Sequence, residues 1–230
     1  MTASPLDSSL SLIFDLDGTL ADTAPDLCAT LNVVLASAGR ASVPESEVRG
    51  LIGGGALVLL ERGLKLTGGP VPEHEMQHLY DHFLAHYEAH IADHSTLWPG
   101  LAAQLDQFRT AGVKLAVCTN KIERLTRIAL DELGLAPYFP VVIAGDTLPV
   151  KKPHAEPLLE AVRRLGGAPT RAIMIGDSET DVDAAAAAAM PSICVRFGYP
   201  GRPLADIAAT AFIDHYDQLP EALEAVLTRF

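Results

Sequence analysis

Residues 10–20 read LSLIFDLDGTL, and this stretch decides how the rest of the chain is interpreted. Its first part, Leu10 to Phe14, is a short apolar run, typical of a strand buried on both faces of a sheet. Asp15 and Asp17 follow directly, and Gly18 allows the backbone to turn tightly and to approach a ligand closely. Two carboxylates just past a strand end can reach one small volume. Seen alone, the same pair also fits an ordinary polar turn.

Four further apolar runs indicate more buried strands. They are residues 113–118, 141–144, 172–175 and 192–195. Helical patterns separate the later runs, which predicts βαβ units and a parallel sheet. Because open parallel sheets bind ligands at the carboxyl ends of their strands, the residues that follow each run are the candidates for chemistry.

A long interval separates the first two predicted strands, and one crossover connection would need far fewer residues. The interval reads as helical throughout, from a helix at 26–38 to a long helical segment at 73–93. Residues 98–100, Trp-Pro-Gly, then mark a turn. We therefore predict an α/β fold with two units. One is a Rossmann-like parallel-sheet core formed by residues 1–20 and 95–230, and the other is an inserted helical cap domain of residues 21–94.

Composition excludes several classes of function. The 29 acidic and 17 basic residues give a net charge of −12, and no basic cluster is present, so we expect no nucleic-acid partner. No apolar run approaches the ~18 residues of a membrane span, and the first ten residues lack a signal-peptide pattern. We expect a cytoplasmic protein without a membrane partner. Cys28, Cys118 and Cys194 are widely spaced, which fits buried thiols in a reducing compartment.

Polar residues follow three of the later strands. A hydroxyl and an amide follow the second predicted strand (113–118). A lysine follows the third (141–144), and an acidic cluster follows the fourth (172–175). They are Thr119-Asn120, Lys152-Pro153, and Gly176-Asp177-Ser178 with Asp181. Together with the first aspartate pair they predict one composite site. Because the whole protein is acidic, a phosphate site here would have to be made locally by a metal, a lysine and backbone N–H groups.

The order and wording of these motifs resemble the haloacid dehalogenase (HAD) superfamily of phosphotransferases over essentially the whole chain. DLDGTL (15–20) resembles the first motif, Thr119 the second, Lys152 the third and GDSETD (176–181) the fourth. Four further phrases resemble the bacterial phosphoglycolate phosphatases. They are GLIGGGALVLLERGL (50–64), CTNK (118–121), AGDTLPVKKPH (144–154) and FGYPGRP (197–203). The resemblance implies a phosphatase acting on a small phosphorylated metabolite, 2-phosphoglycolate.

The resemblance also implies the catalytic roles. Asp15 would attack phosphorus and form an aspartyl-phosphate. Asp17 would protonate the leaving alkoxide and then activate water. Mg²⁺ would be held by the side chains of Asp15 and Asp177 and by the backbone carbonyl of Asp17, an oxygen ligand set that suits this ion. Lys152 and Thr119 would neutralise and bind the transferring phosphoryl group.

Other residues of these motifs receive lesser or alternative roles. Substrate contacts are expected from Gly18, Asn120, Gly53 and Gly54, since a glycine-rich cap segment lets backbone approach a small ligand. We expect Asp181 to support the metal site from behind its ligands. Lys152 is favoured over Lys151 as the fixed cation because it directly precedes Pro153, as in the family. Glu179 and Asp183 read as exposed acids at a helix start.

Two features outside these motifs leave alternatives open. His74, His78, His82, His86, His90 and His94 recur every four residues. The row drifts by about 40° per step around a helix, so a polar flank is favoured over a continuous metal stripe. Arg49 and Arg62 lie near the predicted cap segment and could contact a substrate carboxylate, but surface positions are favoured.

Several other functions remain open from the sequence. A mutase, a phosphatase for another small metabolite, or a phosphonatase using Lys65 would share the superfamily motifs. A dehalogenase is disfavoured because it has no need of the acid that Asp17 supplies. From another class, a receiver-like phosphorylated signalling module also places acids, Thr and Lys on a parallel sheet. The DLDGT motif and the large insertion favour the enzyme. The sequence leaves the oligomeric state open between monomer and homodimer.

Overall fold

The structure, a computed structural model, describes residues 6–228, so residues 1–5 of the predicted core segment and residues 229–230 lie outside it. Its strands are β1 (Ser11–Phe14), β2 (Ala21–Asp22), β3 (Thr96–Leu97), β4 (Lys114–Cys118), β5 (Val141–Ile143), β6 (Ala172–Gly176), β7 (Ser192–Val195) and β8 (Ala211–Ile213). Its α-helices are α1 (Ala24–Ser37), α2 (Glu45–Val48), α3 (Ala56–Leu66), α4 (Glu73–Ala89), α5 (Leu101–Ala111), α6 (Glu123–Glu132), α7 (Glu156–Arg164), α8 (Glu179–Ala187) and α9 (Leu219–Leu227).

Six strands form one parallel sheet in the order β5-β4-β1-β6-β7-β8. The first strand therefore lies in the middle of the sheet, between the strands that carry the threonine and the second acidic cluster. This arrangement confirms the predicted α/β fold with a Rossmann-like parallel sheet. The five predicted strands are present with ends that differ by at most one residue. The short edge strand β8 was missed.

Side chains on alternate positions of the central strand enter two different apolar layers. Leu12 and Phe14 pack in the layer that contains residues of α5, α6 and α9, whereas Ile13 packs with residues of α7 and α8. All four residues of β1 are buried, as expected for a strand covered by helices on both faces. The carboxyl end of β1, which Asp15 follows, is consequently held in a fixed position.

The long interval between β1 and β4 contains the helices α1 to α5, and the first four of them precede β3. Helix α1 packs against α3 and α4. A two-stranded antiparallel ladder pairs Ala21 with Leu97 and Asp22 with Thr96, so the chain leaves and re-enters the core side by side. The ladder was missed because each strand has only two residues. The division into a core of residues 1–20 and 95–230 and a cap domain of residues 21–94 stays a prediction.

Asp26 ties the first of these helices to the returning chain. Its buried carboxylate accepts hydrogen bonds from the backbone N–H of His94 (3.0 Å) and from the N–H and hydroxyl of Ser95 (2.8 and 2.6 Å). The same carboxylate lies in the first turn of α1, where a negative charge is favourable. One side chain thus fixes both the helix start and the return to the core.

The histidine row lies mostly on α4, which ends at Ala89 rather than near Asp93 as predicted. Nδ1 of His86 hydrogen-bonds the Thr30 hydroxyl of α1 at 3.0 Å, and its ring lies 4.5 Å from that of His90. Burial and the neighbouring histidines lower the pKa of His86. Among residues 6–228, no group of three potential metal ligands includes any of these histidines. The row is a polar flank of α4 packed partly against α1.

A membrane-spanning helix must be long and apolar along its length. Within residues 6–228, no helix is both long and apolar enough to cross a bilayer.

Replacing Asp26 with alanine is expected to lower the free energy of unfolding by about 2 kcal/mol or more, because two backbone N–H groups and one hydroxyl lose their acceptor. Urea denaturation followed by circular dichroism measures this change. The matched control is Asp81→Ala on α4, an exposed aspartate that accepts a hydrogen bond from Gln77. It should change the free energy by no more than about 0.5 kcal/mol. Equal losses in the two variants would contradict the tie assigned to Asp26.

Candidate active site

Asp15 is the first residue after β1, and its position is fixed by the sheet. Its backbone N–H donates to the carbonyl of Ile175 on β6 at 3.0 Å. The side-chain oxygen Oδ1 accepts from the N–H of Leu16 at 2.7 Å and lies 3.0 Å from Nζ of Lys152. The carboxylate is thus held between a backbone donor and a cation, and it lines a cleft on its open side.

Three carboxylates converge at the ends of β1 and β6. Asp15, Asp177 and Asp181 are all buried, and each offers an oxygen within 4.8 Å of the others. Lys152 is also buried, and its Nζ lies 2.6 Å from Oδ1 of Asp181. Three carboxyl groups share one ammonium group, so full ionisation of the three would leave two negative charges without a partner in a buried volume. A divalent cation would neutralise this excess.

The crowding of carboxylates shifts their protonation. Burial raises the pKa of Asp15 to about 7, a rise that Lys152 opposes and that Asp181 and Asp17 increase. Burial, together with Asp181 and Asp15, raises the pKa of Asp177 well above its usual range. Burial disfavours the charge of Lys152, but Asp15 and Asp181 outweigh it and raise its pKa. The lysine therefore stays charged. The protein groups around the carboxylates do not supply enough positive charge to stabilise the ionised form of all three.

Asp181 has its oxygens occupied by protein groups. One oxygen is bonded to Lys152, and the other accepts from the backbone N–H groups of Asp177 and Ser178 and from the Ser178 hydroxyl. Ser178 and Asp181 together form the capping box that begins α8. Asp181 therefore orients Lys152 and the start of α8. That geometry favours a supporting position over direct metal ligation.

Asp177 is held by groups from two separate segments of the chain. Its Oδ1 accepts from the Thr19 hydroxyl at 2.9 Å, and its Oδ2 accepts from the N–H of Tyr199 at 2.7 Å. Gly18 lies against it with a φ of +82°, and a Cβ added there would come within 2.3 Å of Oδ2 of Asp177. Gly18 is therefore required for close packing around Asp177. The oxygen-only donor set of Asp15 and Asp177 fits Mg²⁺.

Asp17 is paired with a lysine that lines the same cleft. Its Oδ1 accepts from the Thr23 hydroxyl at 2.8 Å and from Nζ of Lys121 at 2.6 Å. Nζ of Lys121 also donates to the hydroxyl of Tyr87, which comes from α4, at 2.9 Å. Burial raises the pKa of Tyr87 to about 12, although Lys121 opposes the rise. The phenol therefore stays protonated at neutral pH.

A cleft connects these groups with the glycine-rich segment. Its polar lining is contributed by Asp15, Asp17, Thr119, Asn120, Lys121 and Tyr87. Its apolar lining is contributed by Leu27, Ile52, Ala56, Leu59, Ile122 and Leu125, with Gly53 and Gly55 between. The cleft thus has a charged floor formed by strand ends and apolar walls formed largely by the helices between β1 and β4.

Thr119 and Asn120 follow β4 as predicted, and both line the cleft. The Thr119 N–H donates to the carbonyl of Ile143, and its hydroxyl accepts from the N–H of Lys121 at 3.2 Å. Nδ2 of Asn120 donates to the carbonyls of Gly53 (3.0 Å) and Lys152 (3.1 Å). Asn120 therefore joins the glycine-rich segment to the loop that carries the buried lysine.

Of the three glycines predicted to contact substrate, only one lines the cleft. Gly53 lines the cleft, whereas the carbonyl of Gly54 faces Lys151, whose Nζ donates to it at 2.9 Å. Gly55, not predicted individually, also lines the cleft, at a φ of +91°. A Cβ on Gly55 would come within 2.9 Å of the Asn120 carbonyl, so a glycine is needed for this close approach. Gly18 lies behind the cleft against Asp177.

The other candidate charged residues are engaged outside the cleft. Arg49 pairs with Asp22 and Glu45, and Arg62 donates to the carbonyl of Leu51. Glu179 accepts from the N–H of Gly201, and Asp183 pairs with Arg202. The three cysteines are buried and free, as expected.

Sequence reasoning missed two members of the site, Lys121 and Tyr87. Lys121 ends the phrase CTNK, so its proximity to Thr119 was visible, but its contact with Asp17 was not. Tyr87 belongs to the apolar face of α4, where helical spacing indicates core packing. Because a buried tyrosine hydroxyl needs a hydrogen-bond partner, the presence of Tyr87 on that face was the available signal for a polar contact with the core.

Comparison with known proteins supports the same interpretation. The sequence model of the haloacid dehalogenase-like hydrolase family matches residues 12–195. The phosphoglycolate phosphatase of Agrobacterium fabrum is 43% identical over 223 residues, which are 97% of this chain and 95% of that protein. The enzyme of the same name from Caulobacter vibrioides is 41% identical, over 95% of this chain and 92% of its own.

A solved structure agrees over nearly the whole length. The crystal structure of a predicted phosphoglycolate phosphatase from Haemophilus somnus superposes with a TM-score of 0.88 at 28% identity and covers 93% of this chain and 97% of its own. These findings confirm the family predicted from the motifs. The chain belongs to the haloacid dehalogenase-like hydrolases and is related to their phosphatases.

Proposed function

We propose that this chain is a Mg²⁺-dependent phosphatase that hydrolyses 2-phosphoglycolate to glycolate and phosphate through a phosphorylated Asp15. The observation that carries the proposal is the position of the Asp15 carboxylate. It lies at the floor of the cleft with Nζ of Lys152 at 3.0 Å, and Asp17 lines the same cleft two residues later. The two relatives named above, which are called phosphoglycolate phosphatases, support the choice of substrate.

In the first step the Asp15 carboxylate attacks phosphorus, and the bond from phosphorus to the glycolate oxygen breaks. Asp17 gives its proton to the leaving oxygen. In the second step a water molecule attacks the phosphorus of the aspartyl-phosphate while Asp17 takes up the proton of the water. Phosphate leaves and the Asp15 carboxylate is restored, so that each step has one acid or base in place.

The surroundings of Asp15 supply the charge that the transferring group requires. Lys152 stays charged and lies beside Asp15, while Thr119 lines the same cleft. Groups fixed before the reaction stabilise developing charge without reorganising. Mg²⁺ held by Asp15, Asp177 and the carbonyl of Asp17 would neutralise charge on the phosphoryl oxygens. The rigid packing of Asp177 against Gly18, Thr19 and Tyr199 suits such a ligand.

A receiver-like signalling role is less well supported. Asp15 lines a cleft with apolar walls, which suits a small-molecule substrate. The family match over residues 12–195 also favours a hydrolase.

Replacing Asp15 with asparagine is expected to lower phosphate release from 2-phosphoglycolate by roughly 1,000-fold or more, because the amide is a poor nucleophile. A panel of small phosphate esters, assayed with Mg²⁺ and with chelator, measures the effect. The matched control is Asp183→Asn, which removes an exposed carboxylate from α8 and should stay within about twofold of the native protein. Full turnover by Asp15→Asn would contradict the covalent route, and another leading ester would overturn the choice of substrate.

Adding Mg²⁺ at about 100 times its Kd is expected to raise the midpoint of thermal unfolding by roughly 5–10 °C, because binding to the native state alone contributes about 2.7 kcal/mol. Asp177→Asn should abolish this rise. In chelator the same variant should unfold close to the native temperature, because without metal the raised pKa of Asp177 already favours its uncharged form. Circular dichroism measures both, with Asp183→Asn as the control that keeps the rise. An undiminished rise in Asp177→Asn would contradict metal binding by this carboxylate.

A further inference from the structure

Lys121 supplies a positive charge to the lining of the cleft. Among the described residues that line it, the charged ones are Asp15, Asp17 and Lys121, so this lysine is the single cation that faces the substrate space. Lys152 lies behind Asp15, and Arg49 and Arg62 have partners elsewhere. A substrate with a second anionic group beyond its phosphate would therefore meet one ammonium group in the cleft.

The ammonium group of Lys121 has capacity for another acceptor. It donates to Asp17 at 2.6 Å and to the Tyr87 hydroxyl at 2.9 Å, and it has three N–H donors. Within residues 6–228 no third acceptor contacts it. The Tyr87 hydroxyl accepts from the lysine, which leaves the proton of the phenol available for a ligand. Two donors, one on each residue, thus lie together at the cleft.

The backbone around Lys121 is fixed. Its N–H donates to the Thr119 hydroxyl at 3.2 Å, and its carbonyl accepts from the N–H of Gly145 at 2.8 Å. The side chain is buried against the Tyr87 ring, with Nζ 4.7 Å from the ring centre. The phosphate-binding threonine and this ammonium therefore belong to one short, rigid loop, which sets the separation between two anionic ends of a substrate.

The remaining walls restrict what joins those two ends. They are formed by leucine, isoleucine and alanine side chains contributed mainly by α1, α3 and α6. A sugar phosphate would leave several hydroxyls against these walls without hydrogen-bond partners, which is unfavourable. A short ester with no further polar groups would fit them.

We propose that Lys121 is the specificity-determining residue of this site and, with the Tyr87 hydroxyl, binds the carboxylate of a short phosphorylated 2-hydroxy acid. The inference rests on the proposed phosphatase function and adds the group that recognises the acid. The carboxylate takes the open N–H of Lys121 and the proton of Tyr87, while the phosphate lies at Asp15 and Thr119.

The test compares two esters of equal length, 2-phosphoglycolate and ethyl phosphate, in which a methyl group replaces the carboxylate. For Lys121→Met, kcat/KM for 2-phosphoglycolate relative to that for ethyl phosphate is expected to fall roughly 10- to 100-fold, the worth of a charge-assisted contact. Lys114→Met is the matched control, because Lys114 begins β4 at the opposite end of the strand and donates to the Gly166 carbonyl. It should leave the ratio unchanged. Lys121→Arg, which retains the charge, should restore most of the preference.

A binding measurement keeps the test informative if Lys121→Met has no turnover, since Lys121 also contacts Asp17. Calorimetry on Asp15→Asn and on Asp15→Asn with Lys121→Met should give a 10- to 100-fold weaker Kd for 2-phosphoglycolate in the double variant. The Kd for ethyl phosphate should change by less than about threefold. Equal losses for both esters would overturn the assignment to Lys121 and leave the phosphatase function standing. Native protein that releases no phosphate from 2-phosphoglycolate would instead overturn the proposed function.

Discussion

The structure depends on one buried ammonium group, that of Lys152, held among three buried carboxylates. It lies 3.0 Å from Asp15 and 2.6 Å from Asp181, while Asp177 completes the cluster. Burying charged groups is costly unless they are paired, and here one ammonium group faces three carboxyl groups. The carboxyl groups stay close together because Asp15 and Asp177 follow adjacent central strands of the parallel sheet, which fix their positions. A site that lacks positive charge has a built-in affinity for a divalent cation and for its bound phosphate.

The helices between β1 and β4 complete the site from its other side. Asn120 reaches Gly53, Lys151 reaches Gly54, and Tyr87 reaches Lys121, so every one of these contacts joins a strand-end loop to the helical interval. Asp26 and the short ladder of β2 and β3 hold the interval where it leaves the core. The sheet thus provides the reactive groups, while the interval provides the walls that select what reaches them.

The sequence was informative wherever one local rule determined position. Asp15, Thr119 and Asp177 each follow a buried strand, and parallel strands bring such residues to a common edge. The three-residue edge strand β8 was missed because so short a run carries little pattern. The contact between Tyr87 and Lys121 depends on how α4 packs against the core, which no periodicity in either segment specifies. Gly18 was read as a ligand contact, yet its close approach is to Asp177, a distinction visible only in three dimensions.

The central claim is that phosphate passes through a covalent bond to Asp15. The most direct test is rapid acid quenching during turnover of 2-phosphoglycolate, followed by mass spectrometry of the peptides. The account predicts one phosphoryl group on the peptide containing residues 10–20, located at Asp15 and lost on treatment with hydroxylamine, which cleaves acyl phosphates. Phosphate released at the full rate while that peptide stays unmodified at every quench time would contradict it.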